Sequence, residues 1–196
     1  MSVKPARAKA LSVEDRQSMI LDAVTPLLIE HGQTVTTRQI AQCAGIAEGT
    51  IFRAFDSKDN LLRAAMDRQL DPEPFRLELA ALDRELPLEE RVRAMVSLLR
   101  RRFAQVFALM TAVGSMGRPH THDVAHEFTV LLADVLAPDL LRLTVAPERS
   151  GQVIRMIALA ASVPHITAGP DFDDDELTAL ILYGIIGFPT PPNAPC

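Results

Sequence analysis

Between Leu88 and about Val113, the apolar residues Val92, Met95, Val96, Leu99, Phe103, Val106 and Met110 return every three or four positions. That spacing lines one face of a long α-helix. Ser12 caps an earlier helix running to about Glu30, with Glu14 and Asp15 in its first turn, and Pro26 predicts a kink inside it. Further helices are predicted over 58–70 and 75–86, over 128–143 with an interruption at Pro138, and over 152–163. A final helix starts after the acidic run Asp173-Asp174-Asp175-Glu176, where the helix dipole favours negative charge. The fold class that follows is all-α. Asp71-Pro72-Glu73-Pro74 breaks the chain, which predicts a basic arm over 1–11, a first domain over 12–70, a larger helical domain over 71–189 and a tail over 190–196.

The stretch from Thr36 to Phe55 reads as two short helices joined by a tight turn. Thr36 caps the first helix, with Gln39 three residues on to complete a capping box. Ile40, Ala41 and Ala44 share one face, and Gly45 stands where the chain must turn in the left-handed conformation. Ile51 and Phe55, four apart, point the second helix inward and leave Glu48, Gly49, Thr50, Arg53 and Ala54 for an outward face. A short helix offering small polar and basic groups, braced by another, is the helix-turn-helix arrangement that reads a major groove. An ordinary helical hairpin is the competing reading.

The context favours DNA. Ile20, Ala23, Gly32, Thr36, Thr37, Ile40, Ala41, Ala44, Gly45, Ile46, Gly49, Thr50, Phe55, Ser57, Lys58 and Leu61-Leu62 together resemble the N-terminal domain of the TetR family of transcriptional regulators. The resemblance covers about a quarter of the chain; the remainder is similar only in length and helical character. It implies an N-terminal three-helix DNA-binding domain and a larger C-terminal helical domain for ligand binding and dimerisation. Thr36, Thr37, Arg38, Glu48, Gly49, Thr50, Phe52, Arg53 and Lys58 are then the DNA-binding residues. Arg53 suits a guanine edge, while Arg38 and Lys58 suit phosphates, Lys58 beside the helix start that Ser57 caps. Phe52 stands where the family often has a tyrosine whose hydroxyl reaches a phosphate. Glu48 departs too: it stabilises a helix start and repels phosphates, the alternative being to accept from a cytosine amino group.

Composition narrows the partners. The net charge of −5 on 196 residues argues against wholesale coating of nucleic acid. Residues 1–65 carry +1 and residues 66–196 carry −6, so a DNA surface must be a local patch. Cys43 and Cys196 make no disulfide framework, and the longest apolar run, Ile157 to Val163, is too short to span a bilayer. A cytoplasmic protein with no membrane partner is the expectation.

The larger domain supplies two further expectations. Met95, Leu99, Phe103, Phe107, Met110, Met116, Phe128 and Leu131, with Arg102, His122, His126 and His165 as the few polar groups, are candidates to line a site for a small, mostly apolar effector. A solid core is the alternative for each. Two apolar stripes on the final helix ask for two partners, the chain's own core and another copy, and the resemblance implies that the last two helices form a dimeric four-helix interface. Ile154, Ile157, Ala158, Ala161, Leu177, Leu180, Ile181, Gly184 and Phe188 are its candidates. His122 and His126 have a spacing that can hold a metal, but no cysteine is near and the order is not that of a zinc protease, so neither metal nor cofactor is expected. No nucleophile–base constellation appears, which argues against an enzyme. The reading is a homodimeric, ligand-responsive transcriptional regulator, a repressor, on a palindromic double-stranded DNA operator. Its rivals are an interaction module with a vestigial helix-turn-helix, or an enzyme of the C-terminal domain.

Overall fold

The computed structural model describes residues 12–114, 121–163 and 170–184, the side chains of 121–125 excepted. The described residues are all-α. They form α1 (Val13–His31), α2 (Thr37–Cys43), α3 (Glu48–Phe55), α4 (Lys58–Leu70), α5 (Glu73–Ala80), α6 (Leu88–Val113), α7 (Thr121–Leu136), α8 (Pro147–Ala160) and α9 (Asp174–Tyr183), with 3₁₀ turns at Gly32–Thr34 and Ala137–Arg142. No helix among them is long and apolar enough to cross a membrane. Two compact units emerge, one within Met1–Leu70 and Ala108–Met116, the other within Asp71–Phe107 and Gly117–Cys196.

In the first unit, Ile20, Val24 and Leu28 of α1 project every four residues into a core with Val35, Ile40, Ile51, Phe55, Leu61, Leu62 and Ala65. Leu109 and Val113, from the end of α6, complete it. α1 runs through Pro26 as one helix. Side-chain bonds hold α1 to its neighbours: Gln17 Nε2 donates to the Ala54 carbonyl at 2.9 Å, Arg68 pairs with Asp22 at 2.6 Å and donates to the Ser18 carbonyl at 3.1 Å, and Gln69 donates to the Thr25 hydroxyl at 3.3 Å.

The second unit has its own core of Phe75, Leu79, Leu88, Val92, Met95, Val96, Leu99, Phe128, Leu132, Val135, Leu136, Ile154, Ala158 and Leu177. The predicted helix over 75–86 ends instead at Ala80. There the Arg84 guanidinium donates to the Ala80 and Leu82 carbonyls, both at 2.9 Å, satisfying acceptors that a helix end leaves open. The expected helix over 128–143 starts earlier, at Thr121, and Pro138 falls in the 3₁₀ turn that follows it. Pro147 begins α8 five residues before the expected start, because proline suits a first helical turn. Arg100 and Arg101 each meet a different acid, Asp174 on α9 (2.5 Å) and Glu78 on α5. Arg93 meets Asp175 at 2.7 Å. The acidic run therefore has two roles: Asp173 and Glu176 form a capping box, while Asp174 and Asp175 tie α9 to α6.

Candidate nucleic-acid interface

Local chemistry builds the α2–α3 pair. The Thr36 hydroxyl accepts from the Gln39 N–H at 3.2 Å, and the Gln39 side chain accepts from the Thr36 N–H at 2.8 Å, so two otherwise open donors at the start of α2 are satisfied. At the other end Gly45 has φ +65°, the Ile46 N–H donates to the Ala41 carbonyl (3.0 Å) and the Gly45 N–H to Gln42 (3.3 Å). That pair of bonds is a Schellman stop, which needs a residue free to adopt positive φ. Ile46 packs on the core and α3 follows, anchored by Ile51 and Phe55.

With those two residues inward, Glu48, Gly49, Phe52 and Arg53 are exposed and Thr50 is half-buried. Ala54, expected outward, packs partly against the core, and its carbonyl holds Gln17. Phe52 takes an outward place instead, at 44 % exposure. Arg38 on α2 is exposed as well. Thr36 spends its hydroxyl within the capping box, and the Thr37 hydroxyl donates to Glu48 Oε1 at 2.5 Å, linking the starts of the two helices.

Lys58 differs from expectation. Its ammonium donates to the Gln33 carbonyl at 2.8 Å rather than standing free at the start of α4. Ser57 does cap that helix, accepting from the Asn60 N–H at 3.2 Å. Gln33 in turn donates through Nε2 to the Val113 carbonyl at 2.7 Å. Sequence reasoning missed Gln33, since its partner lies 80 residues away and a lone glutamine after a helix carries no signal.

The candidate effector residues are distributed through the structure. Met95, Leu99 and Phe128 are buried in the second core, where Phe128 meets Phe75 edge to face with ring centres 4.8 Å apart. Phe103 and Leu131 pack against that core, and Phe107 is half-buried. Arg102 is half-buried with a donor on the Asp71 carbonyl at 3.1 Å, and its burial lowers its pKa. Met110 belongs to the first unit, and His126 is exposed. Met116, His165 and the His122 side chain lie outside the described residues. A cleft of about 420 Å³ in the second unit has a different lining: Leu88, Leu136, Leu143, Val145, Ile154 and Ile181 among the apolar residues, Glu89, Arg142, Ser150 and Tyr183 among the polar ones.

The residues expected at the copy-to-copy seam take different places in the fold. Ile154, Ala158 and Leu177 are buried in the core of their own chain, and Ile157, Ala161 and Ile181 pack against it. Leu180 is half-buried. Gly184 is the residue that ends α9, at φ +68°, and Phe188 lies outside the described residues. Gln152, Val153, Met156 and Ala160 form the exposed side of α8. Burial of 154 and 158 fixes the rotation of the helix, so residues about half a turn away must face out.

Residues 20–65 match the family model described as bacterial regulatory proteins, tetR family. The HTH-type transcriptional regulator SAR0097 of Staphylococcus aureus is 30% identical over 98 residues, covering 48% of this chain and 51% of that protein. The chain thus spans about half the length of this curated relative. Among solved structures, the TetR transcriptional regulator SCO0520 from Streptomyces coelicolor superposes with a TM-score of 0.55 at 22% identity, over 85% of this chain and 95% of that one. The transcriptional regulator FadR from Bacillus subtilis, solved in complex with stearoyl-CoA, gives 0.52 at 16% identity, over 86% and 98%.

Proposed function

We propose that this chain, whose residues 20–65 are a TetR-family DNA-binding domain, is a transcriptional repressor that binds a palindromic operator as a homodimer. A small, mostly apolar effector releases it. The observation that carries the reading is the set of groups on α3 and α2: Arg53, Gly49 and Arg38 stand exposed on helices whose opposite sides are anchored in the core. Glycine lets the backbone approach a duplex closely. Arg53 has the fork that fits a guanine edge, and Arg38 is the phosphate anchor. Lys58 is a weaker anchor, because it must leave the Gln33 carbonyl to reach a phosphate.

Fluorescence anisotropy on a palindrome selected with the purified protein tests this. Binding should fall steeply as salt rises, since released counterions drive it. Arg38→Ala should weaken binding to every sequence and flatten the salt slope by roughly one. Arg53→Ala should cost about 1–3 kcal/mol per half-site and erase the preference at one base pair. Equal, salt-independent affinity of the wild type for operator and random DNA would end the proposal.

The dimer reading rests on α8. Met156 is 54 % exposed beside Val153, an apolar side on a helix whose other side already belongs to the core. Met156→Arg places a guanidinium against its own symmetry mate and should give folded monomers in sedimentation, with a melt lowered only by the lost association. Ile154→Arg, by contrast, should unfold the second unit. A Met156→Arg protein that dimerises as tightly as wild type removes α8 from the interface. The effector is assigned to the second unit, whose cleft has a mostly apolar lining, a few polar groups and a volume within the usual range for small-molecule sites.

A further inference from the structure

We infer that Glu48 and Phe52 form a pyrimidine-reading pair on α3, the carboxylate taking the amino group of a cytosine and the ring covering the methyl group of a nearby thymine. The inference rests on the DNA-binding reading above and adds to it which bases the operator must carry.

Glu48 and Phe52 are four residues apart, so they lie on one strip of α3, and both are exposed. The carboxylate is not an ordinary helix-start group. Its Oε1 accepts from the hydroxyl of Thr37, eleven residues back on α2, at 2.5 Å. Holding one oxygen across the two helices fixes the other as an acceptor of defined direction. A free glutamate would lose side-chain freedom on binding; this one is already oriented.

Duplex DNA offers such an acceptor few partners. Phosphate oxygens are negative and repel it. In the major groove the base donors are the amino groups of cytosine and adenine. Adenine carries an acceptor nitrogen beside its amino group, which repels a carboxylate, whereas cytosine carries a C–H there. Cytosine is therefore the partner. Phe52 has no polar group to offer a phosphate or a base edge, so its exposed ring gains only by covering apolar surface. The thymine methyl is the apolar feature of the major groove. Four helical residues rise about 6 Å, which puts the thymine within about two base steps of the cytosine.

Selection of bound duplexes from a randomised pool, run with the full chain and with Glu48→Gln, Glu48→Ala and Phe52→Ala, tests the pair. Wild type should enrich a half-site with a cytosine whose replacement weakens binding by about five- to tenfold. Glu48→Gln keeps an acceptor for Thr37 and gains an amide donor, so preference at that position should move towards adenine. Glu48→Ala should lose it at that position only. Replacing the thymine by uracil, which removes only the methyl, should weaken wild type about two- to fivefold and leave Phe52→Ala unaffected. The inference is overturned if Glu48→Ala binds all duplexes more tightly by one factor with the same consensus, for then the carboxylate merely repels phosphates. A uracil substitution without effect overturns it as well. A wild-type consensus lacking the cytosine sinks this inference alone, while failure to enrich any sequence sinks the DNA-binding reading on which it stands.

Discussion

Gly32→Ala should destabilise the first unit by about 2–6 kcal/mol, the strained positive-φ backbone supplying about 1–3 and overpacking about 1–3. Gly32 ends α1 at φ +57° and ψ −143°, with its N–H on the Leu28 carbonyl. A side chain resists that conformation whatever surrounds it. Here the surroundings also forbid one: an added Cβ would lie 2.2 Å from the Ala112 carbonyl oxygen. That oxygen belongs to the last turn of α6, which Leu109 and Val113 anchor in the core of the unit, so it has little room to retreat. At roughly 4–8 °C per kcal/mol for a domain of this size, the melting temperature should fall by about 10 °C or more. Gly49→Ala is the control. Its new Cβ meets nothing within 4 Å, and a helical position gains about 1 kcal/mol from alanine. Thermal melts of the two variants by circular dichroism should move in opposite directions; a Gly32→Ala melt within a degree or two of wild type would refute the packing argument.

Arg91→Ala should cost about 3–5 kcal/mol in the second unit, the usual penalty for removing one partner of a buried ion pair. Arg91 is 2 % exposed. Its Nε donates to the Leu86 carbonyl at 2.9 Å, one terminal nitrogen to the Val135 carbonyl at 2.5 Å, and the other to the Asp139 carboxylate. Val135 lies in the final turn of α7, where carbonyls have no partner within the helix. One guanidinium thus closes the end of α7, holds the 3₁₀ turn after it and secures the entry to α6. Lysine cannot serve three acceptors in a plane, so Arg91→Lys should recover less than half of the loss. Arg91→Met with Asp139→Asn should recover more, because it also removes the mostly buried Asp139 carboxylate, which would otherwise keep only Arg142 at 3.1 Å as its partner. Urea unfolding of the four proteins forms the test, and a loss below about 1 kcal/mol for Arg91→Ala would mean that water replaces the guanidinium.

Arg91 also illustrates what could not be read in advance. In the sequence it is one of several charges near the start of a long helix, and its partner Asp139 is 48 residues away. The Arg100-Arg101-Arg102 run was readable only in part: helix geometry separates the three directions, but the acids they meet depend on where α5 and α9 pack.

The helix-turn-helix pair α2 and α3 was determined by the sequence itself. Thr36 with Gln39, Gly45 with Ile46, and Ile51 with Phe55 act over five residues or fewer, so their backbone consequences do not wait on the rest of the chain. The long α6 was legible for the same reason, its apolar stripe from Val92 to Met110 repeating over about five turns. Tertiary structure alone decided the rest: that Lys58 gives its ammonium to Gln33, that Thr37 holds Glu48, and that Ile154 and Ala158 turn to their own core while Met156 turns out. A helix with two apolar stripes, or a lysine with several acceptors in reach, has near-equal local options. Only the packing of distant segments makes one of them lower in free energy.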